Sequence, residues 1–412
     1  MSDTTAAQPS GNAFHYPQYV KYLVALLCHG FAAQILVVAI GWQVYDITRD
    51  PWDLGLIGLS QFLPALLLVL VTGLVADRFN RRLILAVCLA LEFAAALGFV
   101  WFTLSGQSDV RYVFGILALL GVARAFFNPA SDALSPNLLS RQAIPHGISL
   151  NSMNWQVTTI TGPVLGGLLY GLGGEVAYGV AALLLFLAIC SVLWIGLVAQ
   201  NNHVEETTVS TLLAGFRFIK SEPIVLGAIS LDLFAVLLGG AYALMPIYAR
   251  DILQVDELGL GFLRAAPGVG AVVMALWLAK FGIRDHAGRI LFWCVAGFGL
   301  FVSVFGLSTW VPLSIGALVL VGAFDMVSVY VRETLMQLWT PDEVRGRVNA
   351  VNRVFIGASN ELGEFRAGAV AAKLGAVTAV VMGGAGTVMV AVLWSQMFPT
   401  LRMARKLEGR VA

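Results

Sequence analysis

Apolar runs of about 20 residues, the length a helix needs to cross a bilayer, recur along the whole of this 412-residue chain. Read against turn and charge punctuation, they predict spans over 19–46, 53–76, 82–104, 111–136, 145–171 and 175–198, then 224–248, 258–280, 287–308, 311–336, 346–373 and 375–398. The breakers between them, such as "TRDPWD", "DRFNRR", "SGQSD", "GLGGE" and "TPDEVRGR", are the residue types that end helices. Only 12% of residues are charged and 58% are hydrophobic, whereas a soluble domain carries about 25% charge. An all-α polytopic membrane protein with twelve transmembrane helices is the expected fold class. The opening "MSDTTAAQPSGN" lacks the basic and short apolar regions of a cleaved signal, so the first run is expected to stay as a membrane helix. Cys28, Cys88, Cys190 and Cys294 all fall inside apolar runs and read as small core residues rather than disulfide partners.

Lys and Arg sort by side. With the N-terminus inside, the cytoplasmic loops and tail hold about 16 of them and the opposite side about five, counting Arg49, Arg111, Arg250, Arg264 and Lys373 there. Both termini are therefore expected in the cytoplasm, in a bacterial inner membrane. "GLVADRFNRR" follows span two and "AKFGIRDHAGR" follows span eight, each a short basic turn with an acid in the same place within a six-span half. Two parallel six-helix halves around a central path follow from that weak repeat. The chain divides into a tail over 1–18, a first half over 19–198, a linker with an amphipathic helix over 199–223, a second half over 224–398 and a tail over 399–412.

Charge at mid-membrane costs roughly 2.5–3.5 kcal/mol on insertion scales, so each such residue needs a reason. Glu92, Arg124, Asp132, Asp232, Asp325, Arg332 and Glu333 lie within spans. Span eleven adds Arg353, Asn360, Glu361, Glu364 and Arg366 in "NRVFIGASNELGEFRAG". Arg353, Asn360 and Glu364 fall on one helical stripe, with Glu361 alongside. A polar stripe facing a central cavity would bind substrate or protons, and one facing a neighbouring arginine would only hold helices together. Arg124, alone in an aromatic and small-residue helix, must find a carboxylate, carbonyls or water. Asp232 and Asp325 are further candidates for proton coupling. Asp132, nearer the helix end, is expected to partner the first basic loop. Glu92 is a weaker proton candidate, and a lone His29 more often serves packing. In span five, Gly162, Pro163, Gly166 and Gly167 allow close helix contact or a bend.

Several chemistries are excluded by pattern. The chain has no phosphate-binding G-x-x-x-x-G-K-[ST] loop. No Cys/His cluster has metal-ligand spacing, and the five histidines are scattered. No enzymatic activity, cofactor, metal or nucleic-acid partner is expected; the energy source would be a proton gradient. A monomer in the lipid bilayer is the expected state.

At this point the chain resembles the major facilitator superfamily over residues 18–400. "GLVADRFNRR" resembles its G-x-x-x-D-R-x-G-R-R/K loop, with Gly73, Asp77, Arg78, Arg81 and Arg82 in register and Asn80 where a glycine is usual, a residue that also tolerates a left-handed turn. "LGVARAFFNPA" resembles the fourth-helix pattern that places Arg124 four residues after Leu120, and "GPVLGG" resembles the fifth-helix motif of antiporters. "TLLAGFRFIKSEPIVLGAISL" and "TPDEVRGRVNAV" look like bacterial siderophore and macrolide exporters, whereas "SNELGEFRAG" does not belong to that pattern. The resemblance implies rocker-switch alternating access and export of a medium-sized amphipathic molecule, a siderophore or drug-like compound, against inward proton flow. It also implies that Asp77 caps the start of helix eleven within a charge network joining the halves, which would make the loop a gating element. Gln34, Trp42, Phe126, Phe127, Trp155, Tyr242, Tyr330, Asn352 and Asn360 are candidates for contacting substrate. A proton-coupled importer and a non-transporting membrane sensor are the alternatives.

Overall fold

The computed structural model describes residues 11–196, 209–283 and 285–404, with the side chains at 69, 70, 73, 74, 76, 77 and 209–213 left aside. Local chemistry starts and stops its helices. α1 (Pro17–Thr48) ends on Arg49 in the left-handed region. α2 (Pro51–Arg78) then starts at once, because Pro51 is preset for a first turn and Asp50 accepts from the Trp52 N–H. α3 (Arg81–Leu104) is capped by Asn80, which accepts from the Arg82 and Leu83 amides. Asn80 has φ −63°, so it acts as a cap and not through the left-handed turn that its glycine-like position suggests. α4 (Arg111–Leu134), α5 (Ile144–Leu172) and α6 (Gly174–Leu193) complete the first half. α7 (Val209–Ser221) corresponds to the expected amphipathic segment; its Gly215 lies directly on the Arg347 carbonyl region.

The second half comprises α8 (Pro223–Gly239), α9 (Met245–Ile247), α10 (Glu257–Phe281), α11 (Ala287–Leu307), α12 (Val311–Trp339), α13 (Asp342–Leu374) and α14 (Ala376–Met397). Among the described residues, ten segments are long and apolar enough to cross a membrane. The more polar α5 and α13, with 29 and 33 residues, have the same reach. The expected spans thus correspond in order to the observed helices, with one difference. Span seven is broken: α8 stops at Gly239, a 3₁₀ turn follows over Tyr242–Leu244, and beyond α9 the chain widens into a π-helical turn over Tyr248–Ile252.

In the first half α1 packs on α5 and α6, α2 on α4, and α3 on α4 and α6; in the second, α8 packs on α13 and α14, α10 on α12, and α11 on α12 and α14. The halves meet along α5 with α10 and along α2 with α13. These are the fifth span with the eighth and the second with the eleventh, as a six-span repeat requires. Where they meet, a Cβ on Gly167 would lie 2.2 Å from the Glu257 carbonyl oxygen, and one on Gly368 would lie 2.7 Å from Gly55 Cα. The glycines of "GPVLGG" therefore serve close packing: Gly162 and Gly166 lie on α1, Gly167 on the start of α10, and α5 runs unbroken through Pro163.

Both described chain ends lie at the same end of the bundle, here the terminal end. At the opposite, distal end the halves are closed by charge: Arg250 Nη1 lies 2.5 Å from Asp46 Oδ1, Arg49 Nη1 lies 3.3 Å from Asp251 Oδ1, and Tyr45 donates to Asp251. At the terminal end an exposed ion pair among the described residues joins the halves, Arg353 Nη1 with Asp132 Oδ2 at 2.7 Å.

Candidate functional site: a four-charge cavity between the halves

A cavity of about 120 Å³ lies between the halves. Its walls are aliphatic: Leu36, Val37 and Ile40 from α1, Leu54 and Ile57 from α2, and Leu120 from α4. Its polar groups are Gln61, Arg124, Arg264, Glu361 and Glu364. The first half supplies Arg124, whose Nη1 donates to Gln61 Oε1 at 2.7 Å. The second half supplies both carboxylates, three residues apart and so on one face of α13. Both converge on α2 where it has no side chain: a Cβ on Gly58 would lie 2.7 Å from Glu361 Oε2 and 3.7 Å from Glu364 Oε2.

Arg264 is the residue that counting by side misplaced. It does not belong to the distal loops but points into the cavity from inside α10. Its Nη2 donates to the Tyr242 carbonyl at 3.4 Å, and its Nε is buried without a partner among the described residues. None of the four charges makes a direct ion pair among the described residues; they face one another across the cavity. With both glutamates ionised the set is neutral, and with both protonated it carries two positive charges. A site built this way can exchange protons for a ligand while its walls hold apolar groups.

The family described as transmembrane secretion effector matches residues 19–408. The chain belongs to that family. It is similar to the enterobactin exporter EntS of Escherichia coli O1:K1 / APEC, 26% identical over 405 residues that cover 96% of this chain and 95% of the exporter. The same protein of Shigella dysenteriae serotype 1 matches to the same extent. Among solved structures, a bacterial homologue of the human lysosomal transporter Spinster has a TM-score of 0.74 at 14% identity, covering 94% of this chain and 98% of that one. The nucleoside transporter NupG has a TM-score of 0.72 at 12% identity, covering 92% and 99%. The fold is that of the major facilitator superfamily, and the chain is a multi-pass membrane transporter.

Other charges of the transporter lie elsewhere. Asp232 is ion-paired with Arg332 inside the second half, and with Asp325 it lines a separate small pocket between α8, α11 and α12. Neither acid reaches the central cavity. Glu92 and His29 answer each other inside the first half, with Nε2 3.0 Å from Oε2 and the imidazole stacked on Phe127 at 4.1 Å. Asp132 partners Arg353 of α13 and not the first basic loop, because Arg81 of that loop donates to the Ala133 carbonyl. The stripe expected on α13 splits accordingly: Arg353 goes to Asp132, and exposed Asn360 donates to the Ile356 carbonyl of its own helix.

The aromatic substrate candidates do not line the cavity. Trp42 is buried beneath Arg250, and Phe127 is buried against His29. Phe126 and Tyr330 pack against core clusters, and Trp155 is 67% exposed. Gln34 packs on Gly162, buried Asn352 donates to Glu333, and Tyr242 contributes its backbone carbonyl to Arg264. In the basic loop, the surroundings of Gly73 and the side chain of Asp77 lie outside the described residues. Arg78 is exposed in the last turn of α2, and Arg82 donates to the Leu193 carbonyl at the end of α6. Gln61 and Arg264 are the cavity residues that sequence reasoning missed. Arg264 was detectable, since it lies six residues inside span eight; nothing in the sequence marks Gln61.

Proposed function

We propose that this transporter exports a medium-sized amphipathic molecule, of siderophore or drug-like chemistry, from the cytoplasm in exchange for protons. Its terminal end would face the cytoplasm of a bacterial inner membrane. One observation carries the reading: a cavity between two halves, walled by aliphatic side chains and holding two carboxylates and two guanidiniums. The similarity to enterobactin exporters supports the direction and the substrate class.

In the proposed cycle, substrate enters from the terminal end and engages the ionised glutamates and the apolar walls. After the halves rock, protons arriving from the distal side replace it on Glu361 and Glu364. Substrate and protons compete for the same carboxylates, so carrying one excludes the other, which is the requirement for antiport. Arg124, held by Gln61, would keep a fixed positive charge beside them. Each half-cycle needs the two closing devices to part in turn. The exposed Asp132–Arg353 pair suits that task, because such pairs are worth about 0–1 kcal/mol. The "GLVADRFNRR" loop, with Asp77 at its centre, is proposed to bias the same equilibrium.

Inverted membrane vesicles with an acid interior test the reading, using enterobactin and a panel of lipophilic dyes as probes. The wild type is expected to accumulate at least one probe only while the gradient lasts. Glu361→Gln combined with Glu364→Gln is expected to abolish gradient-driven uptake while leaving membrane insertion intact. Uptake that survives in this double variant with its pH dependence unchanged would mean that the coupling site is elsewhere.

A further inference from the structure

The broken seventh span places a hinge against the glutamates and a gate beyond it. Gly240, the residue at the break, sits on α13 so closely that a Cβ there would lie 3.0 Å from the Gly363 carbonyl carbon. Breaking a helix frees carbonyls that must find donors in a membrane interior. Leu237 and Leu238 lose their partners at the break, and both carbonyls accept from Arg366 of α13, Leu237 from Nε at 2.9 Å. On the distal side, Pro246 has no N–H to give the carbonyl four residues earlier, which is that of Tyr242. That carbonyl accepts from the Met245 N–H of its own turn and from Arg264. Arg366 thus fastens the lower stub, and Arg264 holds the first carbonyl of the upper one.

The upper stub carries the gate. Arg250 and Asp251 in its π-helical turn make the contacts to Asp46, Arg49 and Tyr45 that close the distal end, and Arg250 also lies over the Trp42 ring at 5.4 Å. Tyr248 donates to the Gly306 carbonyl of α11 at 2.8 Å, which fastens the stub to α11.

We propose that Arg264 is the positioning residue that transmits the charge state of Glu364 to the distal gate, through the carbonyl of Tyr242. This inference rests on the glutamate pair being the proton site. The guanidinium has five donors in a fixed fork, and one of them, Nε, is unpartnered. While Glu364 is ionised, its charge draws the guanidinium into the cavity, away from the long 3.4 Å contact with Tyr242. When Glu364 takes a proton that pull ends, and the carbonyl becomes the stronger partner. The start of the upper stub then moves with the guanidinium, and the charge contacts at its far end have to rearrange.

The other charged groups around this device are few. Glu361 of α13 lies beside Glu364, Arg124 of α4 lines the same cavity, and Asp325 of α12 lies within electrostatic reach of Tyr242. From α1, Gly41 lies against Arg264, and the other α1 residues lining the cavity, Leu36, Val37 and Ile40, are uncharged. Tyr170 of α5 and Glu257 of α10 face the gate and not the hinge.

The test uses spin labels on the distal loops of the two halves, at Gln107→Cys and Thr309→Cys, with the native cysteines replaced, in lipid nanodiscs at acidic and neutral pH. The wild type is expected to change its label distance with pH, and Glu361→Gln with Glu364→Gln is expected to abolish the change. Arg264→Gln is expected to abolish it as well, while the infrared carboxylic-acid band of the glutamates still titrates; a residue needed only for packing would leave the pH profile in place. Pro246→Ala, which returns an N–H to the Tyr242 carbonyl, is expected to reduce the change by competing with Arg264. A wild-type distance change in Arg264→Gln overturns the inference and leaves the glutamate reading standing. No pH response in the wild type, or an unaltered one in the glutamate variant, overturns both. Should Arg264→Gln fail to assemble, Arg264→Lys decides: it keeps the charge but not the fork, and a full wild-type response in it overturns the inference.

Discussion

Arg332→Ala is expected to cost the transporter most of its folded population. Arg332 and Asp232 are 5% and 13% exposed in their side chains and form an ion pair between α12 and α8. Removing one partner of a buried pair leaves the other charge uncompensated, at a cost of about 3–5 kcal/mol. Native stabilities are about 5–15 kcal/mol, so that loss is large. Thermal unfolding of the purified protein in detergent, followed by size-exclusion chromatography, reads it as a fall in melting temperature and a rise in aggregate. The physical content lies in the companion variant. Arg332→Met with Asp232→Leu removes both charges and is expected to recover near-wild-type stability, because the desolvation penalty disappears with the attraction. If Arg332→Ala melts like the wild type, the pair does not hold α8 to α12. If the double variant keeps gradient-driven transport, Asp232 is also excluded as a coupling residue.

An equally large effect is expected at the crossing of α10 and α12. A Cβ on Gly270 would stand 1.8 Å from the Val319 carbonyl oxygen, and one on Gly322 would stand 1.8 Å from the Pro267 carbonyl oxygen. Both obstacles are backbone atoms of a neighbouring helix, which cannot turn aside as a side chain can. Even one methyl must therefore push the helices apart, and overpacking typically costs about 1–3 kcal/mol, occasionally more. Gly270→Ala with Gly322→Ala is expected to prevent assembly, seen as loss of the monodisperse peak. Gly316→Ala on the same α12 is the control: nothing lies within 4 Å of its Cβ. That change is expected to be neutral or to stabilise by about 0.5–1 kcal/mol, since alanine suits a helix better than glycine. Equal behaviour of the two variants would show that the crossing is not held by close backbone approach.

The contrast between Arg264 and Glu361 shows how far each kind of reading reaches. Both residues lie inside apolar runs, and both were visible as charges in a membrane span. Glu361 and Glu364 could be paired from sequence because they share one helix face, a relation that helical geometry sets by itself. Arg264 sits on a different helix, and counting basic residues by side assigned it to a loop. Nothing in a one-dimensional hydropathy pattern says how a helix is rotated about its axis, and rotation decides whether a charge meets a cavity, a neighbour or lipid. Asp232, Asp325, Glu92 and Asp132 are the same case with the opposite result. Each is a charge in a span; Asp232 and Asp132 are matched by an arginine on another helix, and Glu92 by the imidazole of His29. The break in span seven was also partly written in the chain, as Gly239, Gly240 and Pro246. The run is apolar throughout, so hydropathy carried straight across it.

The sequence by itself determined the membrane class, the positions of the spans, the expected orientation and the superfamily. All of these depend on local composition, which side chains carry wherever they pack. Only the tertiary structure decided which buried charges share a cavity. It brought Arg124 and Gln61 from one half within reach of Arg264, Glu361 and Glu364 from the other, and withdrew the aromatic side chains from its walls. The physical reason is that helix rotation and approach are set by contacts between residues far apart in the chain, such as Gly58 beneath Glu361 and Gly167 on the start of α10.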